Sequence, residues 1–197
     1  MIPPSKGKLL YHITHIDNIP SILLYGLTPR KKLQEDGVHG FKDIADHEIL
    51  SKREGYKKAL SGYVPFHFYA RNPFDGAVCK KYGAENMAII TIKRELYKNY
   101  KFFIIPSHPL DKDSPDIYPY EDGIKLVRWD ILDGETGRDY HNPEIKNACM
   151  AECVISYTIP ARGFHSIFVK NDNTKKDIMR MSNADVVDIQ VSPYMFP

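Results

Sequence analysis

The sequence predicts an α+β fold of about six short strands and few helices. Short apolar runs such as "MAIITI" (87–92) and "FFII" (102–105) are typical of buried strands, and "YVPFHFYA" (63–70) alternates from one side chain to the next. The chain has 197 residues, of which 43% are hydrophobic and 12% aromatic. This length and composition suit one buried core. We therefore expect a single domain over residues 1–197.

The first elements in chain order are a short strand at 9–13 and a short helix in "DNIPSILLYGL". Pro20 suits the first turn of that helix and Gly26 can end it. A helix that becomes basic towards its end is expected over residues 45–60, and the alternating strand at 63–70 follows it.

The second part of the chain begins with the two buried strands and a loop at 106–125, which is rich in Pro, Asp and Tyr. The segment "MAECVI" (150–155) alternates again and predicts a strand. The segments 166–170 and 185–191 predict two more strands around a short helix at 174–181.

Charge is distributed unevenly along the chain, although the net charge is only +2. Residues 1–108 hold 17 Lys and Arg against 10 Asp and Glu, which gives +7, and residues 109–197 hold 10 against 15, which gives −5. A basic first part indicates an anionic ligand such as a nucleotide or nucleic acid. Ordinary surface charge is the alternative.

Several classes of protein are not indicated. We expect no signal peptide, and no apolar run reaches the ~20 residues that span a bilayer. Three cysteines do not make a disulfide scaffold, so a cytoplasmic location is expected. The sequence lacks a phosphate-binding glycine motif and a Gly-x-Ser-x-Gly turn. His12 and His15 have no second pair at ligand spacing, so no metal is expected.

Glu152 is an anomaly, because it lies inside the apolar strand pattern "ACMAECVI". A buried carboxylate is unfavourable unless it meets a partner or a ligand. It is either an outward-facing edge residue or a carboxylate that projects into a cleft, where it could bind a hydroxyl or accept a proton.

His12 and Thr14 alternate with Tyr11 and Ile13, so they share one face of the first strand. An imidazole and a hydroxyl on the same side could hold a ribose or an amide. The alternative is that His12 has a structural role.

Three stretches resemble the DarT family in order and spacing: "YHITHIDNIPSIL", "YVPFHFYARNPF" and "MAECVI". This family comprises DNA ADP-ribosyltransferase toxins of toxin–antitoxin systems, and the resemblance covers roughly residues 9–170. It implies the ADP-ribosyltransferase fold, a split and curved sheet with short flanking helices and an NAD cleft. It implies transfer of ADP-ribose from NAD, as co-substrate, to a base of single-stranded DNA, with a cognate antitoxin that removes the modification.

The resemblance also assigns the catalytic pair. Glu152 corresponds to the catalytic glutamate, and Arg53 to an arginine that acts both in catalysis and on NAD. The family's thymidine-modifying branch has this arginine in a "HIQERR"-like stretch, whereas this chain has "HEILSKRE", offset by one position. Lys52 is therefore an alternative to Arg53. The same departure favours guanosine over thymidine as the modified base.

Further roles follow from the resemblance for residues that would contact NAD or DNA. His12, Ile13, Thr14 and Ser21 would contact NAD, whereas His108, Arg138, Tyr140 and His141 would contact the DNA substrate. The alternatives to DNA modification are an ADP-ribosyltransferase that acts on RNA or protein, and a nucleic-acid-binding module without activity.

Overall fold

The computed structural model describes residues 2–38, 40–55, 60–111, 114–134 and 138–197. Within them the chain forms two four-stranded sheets. The strands are β1 (Leu9–His15), β2 (Val64–Phe66), β3 (Met87–Lys93), β4 (Phe102–Ile105), β5 (Tyr118–Pro119), β6 (Glu152–Ile155), β7 (Ser166–Val169) and β8 (Ile189–Val191).

Sheet I has the order β1-β3-β7-β8, and sheet II the order β2-β6-β4-β5. The pairs are antiparallel except for β7 and β8, which run parallel. The two sheets touch where Tyr11 of β1 exchanges main-chain hydrogen bonds with His67, at N···O distances of 2.9 and 2.8 Å. This bridge brings the end of β2 against the middle of β1.

Short helices surround the sheets. They are α1 (Ile19–Tyr25), α2 (Arg30–Glu35), α3 (His47–Gly55), α4 (Pro73–Tyr82), α5 (Tyr120–Gly123), α6 (Trp129–Leu132), α7 (Pro143–Cys149) and α8 (Asp172–Met179). Gly26 ends α1 with φ = +88°, and a Cβ there would approach the Ile159 carbonyl oxygen to 2.6 Å. Gly26 therefore suits both the left-handed turn and the close approach of the chain.

The largest hydrophobic cluster takes side chains from both sheets. Leu10 and Ile90 come from sheet I, and Phe66, Ile104 and Cys153 come from sheet II, all fully buried. Burial of such side chains contributes about 1.5–3 kcal/mol each. The predicted α+β class is confirmed, and the prediction of a single domain over 1–197 stays a prediction.

The structure corrects three of the predicted elements. The predicted loop at 106–125 contains β5, which pairs with β4, and the helix α5. The predicted strand at 63–70 ends at Phe66, because the next residue pairs with β1 of the other sheet. The predicted strand at 185–191 is a strand only over Ile189–Val191 and begins with a turn of 3₁₀-helix. Part of the predicted helix at 45–60, with Lys57 and Lys58, lies outside the described residues.

Candidate active site

A cavity of about 240 Å³ opens beside the junction of the two sheets. It is lined by the predicted residues His12, Ile13, Thr14, Ser21, Arg53, His108 and Glu152. These seven side chains come from five separate places in the sequence and meet at one cavity. We call this cavity the site cavity.

His12 projects from β1 and is fixed by a hydrogen bond across the sheets. Its Nδ1–H donates to the Pro65 carbonyl oxygen at 2.8 Å, and its ring lies 5.6 Å from the Phe66 ring. Burial lowers the pKa of His12 to about 4, although the Pro65 carbonyl opposes that shift. The imidazole is therefore neutral near pH 7, with Nε2 left as a hydrogen-bond acceptor.

Thr14 is buried two positions further along β1 and is linked to the loop that precedes α3. Asn18 donates to the Thr14 hydroxyl at 3.0 Å and to the Lys42 carbonyl at 2.9 Å, and it accepts from the Lys42 amide at 2.7 Å. Asn18 thus anchors the 40–46 segment over β1. Although Asn18 immediately precedes α1, its side chain makes no capping bond to that helix.

Glu152 begins β6 and is only 3% exposed. It pairs in register with Ile105 of β4, and Ala151 and Cys153 on either side of it are buried. Since Glu152 lines the site cavity, it is a cleft carboxylate and not an outward-facing edge residue.

Arg53 of α3 meets Glu152 in a two-pronged ion pair. Nη1 lies 2.9 Å from Oε1, and Nη2 lies 3.1 Å from Oε2. The side chains are 14% and 4% exposed. Lys52 instead contacts Glu48 one turn earlier, at 2.9 Å. The structure therefore brings Arg53, rather than Lys52, to the glutamate.

His67 also belongs to this group, and sequence analysis did not select it. It is buried, lines the site cavity and has its Nδ1 3.1 Å from the Ala151 carbonyl oxygen. Burial lowers the pKa of His67, and the charge of Glu152 opposes the shift. In the sequence, His67 alternates with Phe66 and Phe68, which places it on the polar face of the predicted strand. That alternation was the signal by which it could have been found.

His108 follows β4 and lines the site cavity from the side of sheet II. Its Nδ1 accepts a hydrogen bond from the Leu110 amide at 3.0 Å. Burial lowers the pKa of His108, and Glu152 and Asp111 oppose that shift. The assignment of His108 to the DNA substrate stays a prediction.

The three predicted DNA contacts in the 138–141 segment do not line the site cavity. Arg138 lies over the ring of Tyr69, with Cζ 4.0 Å from the ring centroid, and Tyr140 donates to the Arg71 carbonyl at 3.2 Å. His141 is exposed. They form a separate surface beside residues 69–71.

The described residues offer neither a metal-binding cluster nor a membrane-spanning helix. None of the groups of His, Cys, Asp and Glu in that part of the chain could hold a metal ion. None of the helices described is both long enough and apolar enough to cross a membrane.

The two sheets, with a buried glutamate and an arginine at one cavity, agree with the ADP-ribosyltransferase fold that the resemblance implies. The family model described as "ssDNA thymidine ADP-ribosyltransferase, DarT" matches residues 11–196. The chain therefore belongs to the DarT family, which confirms the resemblance seen in the sequence and places the chain in an enzyme family.

Relatives and solved structures agree with this placement. A DNA ADP-ribosyl transferase–DNA ADP-ribosyl glycohydrolase fusion protein of Thermosipho africanus is 24% identical over 198 residues, which cover 97% of this chain and 50% of that protein. The chain thus spans about half the length of this curated relative.

Two solved structures of DarT from Thermus sp. 2.9 share the fold. The complex with ADP-ribosylated ssDNA has a TM-score of 0.81 at 19% identity, with 96% of each chain covered. The complex with NAD⁺ has a TM-score of 0.73 at 17% identity, with 96% of this chain and 98% of that chain covered. The predicted ADP-ribosyltransferase fold is confirmed.

Proposed function

We propose that this chain transfers ADP-ribose from NAD to a base of single-stranded DNA and releases nicotinamide. The observation that carries the proposal is the Arg53–Glu152 pair at the wall of a cavity that His12 and Thr14 also line. Membership in the DarT family and the fold shared with a DarT solved with NAD⁺ support it.

The residues of the site cavity suit a dinucleotide with a ribose and a pyrophosphate. The Arg53 guanidinium can hold phosphate oxygens with two parallel hydrogen bonds. His12 Nε2 and the Thr14 hydroxyl face the same space and can hold a ribose or a carboxamide. NAD would supply the ADP-ribosyl group and the leaving nicotinamide.

Glu152 would carry the chemical step. The bond between the anomeric carbon and nicotinamide breaks with its electron pair going to nicotinamide, and a base nitrogen bonds to the anomeric carbon. The Glu152 carboxylate stabilises the positive charge that develops at that carbon, holds a ribose hydroxyl, and takes the proton of the attacking nitrogen. Each of its oxygens keeps a lone pair beyond the one used by Arg53.

For the modified base we propose thymidine, which the family description names. The sequence-based preference for guanosine rested on the one-position offset in "HEILSKRE". Arg53 meets Glu152 with that offset in place, so the offset does not displace the arginine from the glutamate. The preference for guanosine stays a prediction that the experiment below can support.

The experiment is incubation with labelled NAD and four single-stranded homopolymers, with RNA and protein acceptors in parallel. Label on the thymidine homopolymer supports the proposal in full, and label on the guanosine homopolymer supports DNA modification with the other base. Label on RNA or protein alone, or no turnover, would contradict it. A Glu152→Gln variant serves as the control for label that is not enzyme-dependent.

We also propose a glycohydrolase partner that reverses the modification, since the Thermosipho relative joins a transferase and a glycohydrolase in one chain. The expected location is the cytoplasm, because the three cysteines are free and buried, as in a reducing compartment. Co-expression with a glycohydrolase of that type should relieve the toxicity of this chain. Unrelieved toxicity would contradict the partner proposal.

A further inference from the structure

Arg71 has an unusual backbone conformation between β2 and α4. Its φ is +67°, in the left-handed region that residues with a side chain adopt only at a cost. Glycine or asparagine would fit this position with less strain. The chain nevertheless has an arginine here, and its side chain is exposed.

Three neighbouring groups hold this conformation. The Arg71 amide donates to Asp75 Oδ2 at 2.8 Å, and its carbonyl accepts from the Tyr140 hydroxyl at 3.2 Å. Asn72, the next residue, caps α4 by accepting from the amides of Phe74 and Asp75 at 2.9 and 3.0 Å. The backbone of Arg71 is thus held by its surroundings, whereas its side chain is exposed.

The position of Arg71 relates it to both the site cavity and the 138–141 segment. His67 and Phe74, on either side of it in the sequence, line the cavity. The Tyr140 hydroxyl that meets its carbonyl lies 3.4 Å from the Tyr69 hydroxyl, and Arg138 lies over the Tyr69 ring. Two arginines and a half-buried tyrosine therefore form one surface, which we call the Arg71 surface (Arg71, Arg138, Tyr140). It lies outside the site cavity, on a segment whose flanking residues His67 and Phe74 line the cavity.

A basic surface with an aromatic side chain is suited to single-stranded nucleic acid, since guanidinium groups bind phosphates and aromatic rings stack on bases. Of the two arginines, Arg138 already donates from Nε to the Leu132 carbonyl at 3.1 Å. Arg71 is the more exposed, and its guanidinium has no carboxylate partner among the described residues. It is therefore the group that can accept an external anion.

We propose that Arg71 binds a backbone phosphate of the single-stranded DNA, beside the nucleotide that enters the site cavity. This inference rests on the proposed function and adds a residue that positions the substrate strand. Arg71 would not select the base, because phosphate contacts carry no sequence information.

The test compares Arg71→Asn with a matched control, Arg180→Asn. Asparagine tolerates a positive φ, so the first variant removes the charge and spares the backbone. Arg180 is the exposed residue that follows α8, and it contacts Asp177 at 3.3 Å. The helix α8 lines no described part of the site cavity and packs on β7 and β8. Binding of a short fluorescent single-stranded oligonucleotide is measured over a fourfold range of salt, with melting temperature and label transfer in parallel.

We expect Arg71→Asn to bind DNA more weakly than the wild type. The slope of its log affinity against log salt concentration should be smaller in magnitude by roughly 0.7. The ratio of wild-type to variant affinity should therefore fall by roughly 2.6-fold over the fourfold rise in salt. Arg71→Lys should keep the slope, since it keeps the charge, but with lower affinity than arginine. Arg180→Asn should match the wild type. The preferred base should be unchanged in Arg71→Asn, and its melting temperature should not fall, because asparagine tolerates the positive φ.

The outcomes separate the inference from the proposed function. If the wild type neither binds DNA nor transfers label, both fail. If the wild type does both and Arg71→Asn keeps its salt slope, the inference alone is wrong. A lower melting temperature with an unchanged slope would likewise assign Arg71 a purely structural role.

Discussion

Arg53 and Glu152 form a two-pronged ion pair at the wall of the site cavity, although 99 positions separate them in the sequence. One comes from the end of α3 and the other from the first residue of β6. The guanidinium compensates the buried negative charge, and it presents its fork to both carboxylate oxygens. The stability of this part of the fold and the chemistry of the site therefore depend on the same pair.

Replacement of Glu152 by glutamine should abolish transfer. The amide keeps the size of the side chain and an oxygen for Arg53, but it can neither stabilise positive charge nor accept a proton. Because those interactions arise in the transition state, NAD affinity should stay within a few-fold of the wild type. Calorimetric NAD binding and single-turnover transfer check this, and near wild-type turnover would show that the catalytic assignment is wrong.

Removal of one member of the ion pair should destabilise the protein more than removal of both. Arg53→Ala leaves the buried Glu152 carboxylate without its partner, and breaking a buried pair in this way costs about 3–5 kcal/mol. The double variant Arg53→Ala/Glu152→Ala removes that uncompensated charge. Urea unfolding of the wild type, both single variants and the double variant gives the coupling free energy. Additive losses would contradict the pairing.

The two ring nitrogens of His12 should have different roles, Nδ1 in stability and Nε2 in NAD binding. Asparagine places an amide near the Nδ1 position and can keep the bond to Pro65, whereas glutamine reaches the Nε2 position. We expect His12→Asn to keep its melting temperature and lose NAD affinity, because His12 lines the site cavity and Nδ1 is used by the bond to Pro65. His12→Gln should keep more NAD affinity at lower stability. NAD titration and thermal unfolding of both variants decide this, and the reverse order would favour a structural histidine.

His67 should affect the rate of transfer by fixing the position of Glu152. Its ring donates to the Ala151 carbonyl, one residue before the glutamate. His67→Leu removes that bond, whereas His67→Asn can keep it. Since a misplacement of about 1 Å can cost 10²-fold, we expect roughly 10–100-fold lower kcat in His67→Leu, with the NAD Kd little changed. Near wild-type kcat in His67→Leu, or equal losses in both variants, would contradict this.

The titration of Asp75 should make the free energy of unfolding fall as pH rises towards neutral. The side chain is buried, and desolvation raises its pKa from 3.8 to about 7. Between these pH values the folded state holds a proton that the unfolded state has lost. The free energy of unfolding therefore decreases as pH rises, and the contribution of Asp75 is constant above about pH 7.

Asp75→Asn should therefore gain stability relative to the wild type between pH 4 and 7, by up to about 4 kcal/mol. The buried histidines titrate in both proteins, so they cancel in the difference. Urea unfolding at pH 5 and pH 8 measures it, with the exposed Asp185→Asn as the control. A difference that does not grow with pH would show that Asp75 is ionised in the folded state.

Local patterns were enough to predict the strands that carry the site and most of its residues. The first motif holds His12 and Thr14 on one strand face, and Glu152 was visible as a polar residue in an apolar run. Two helices could also have been found, since Asn72 and Asn142 each precede a proline and cap a helix with the side chain. Sequence analysis did not use that signal.

The sequence by itself determined the fold class, the family and the residues available for chemistry, because periodicity and short motifs depend on neighbours in the chain. Only the tertiary structure decided which of them meet. The choice of Arg53 over Lys52 depends on how α3 approaches β6, and adjacent residues on a helix point in directions that differ by about 100°. His67 entered the site for the same reason, since the bridge between Tyr11 and His67 is a contact between two sheets that no local pattern encodes.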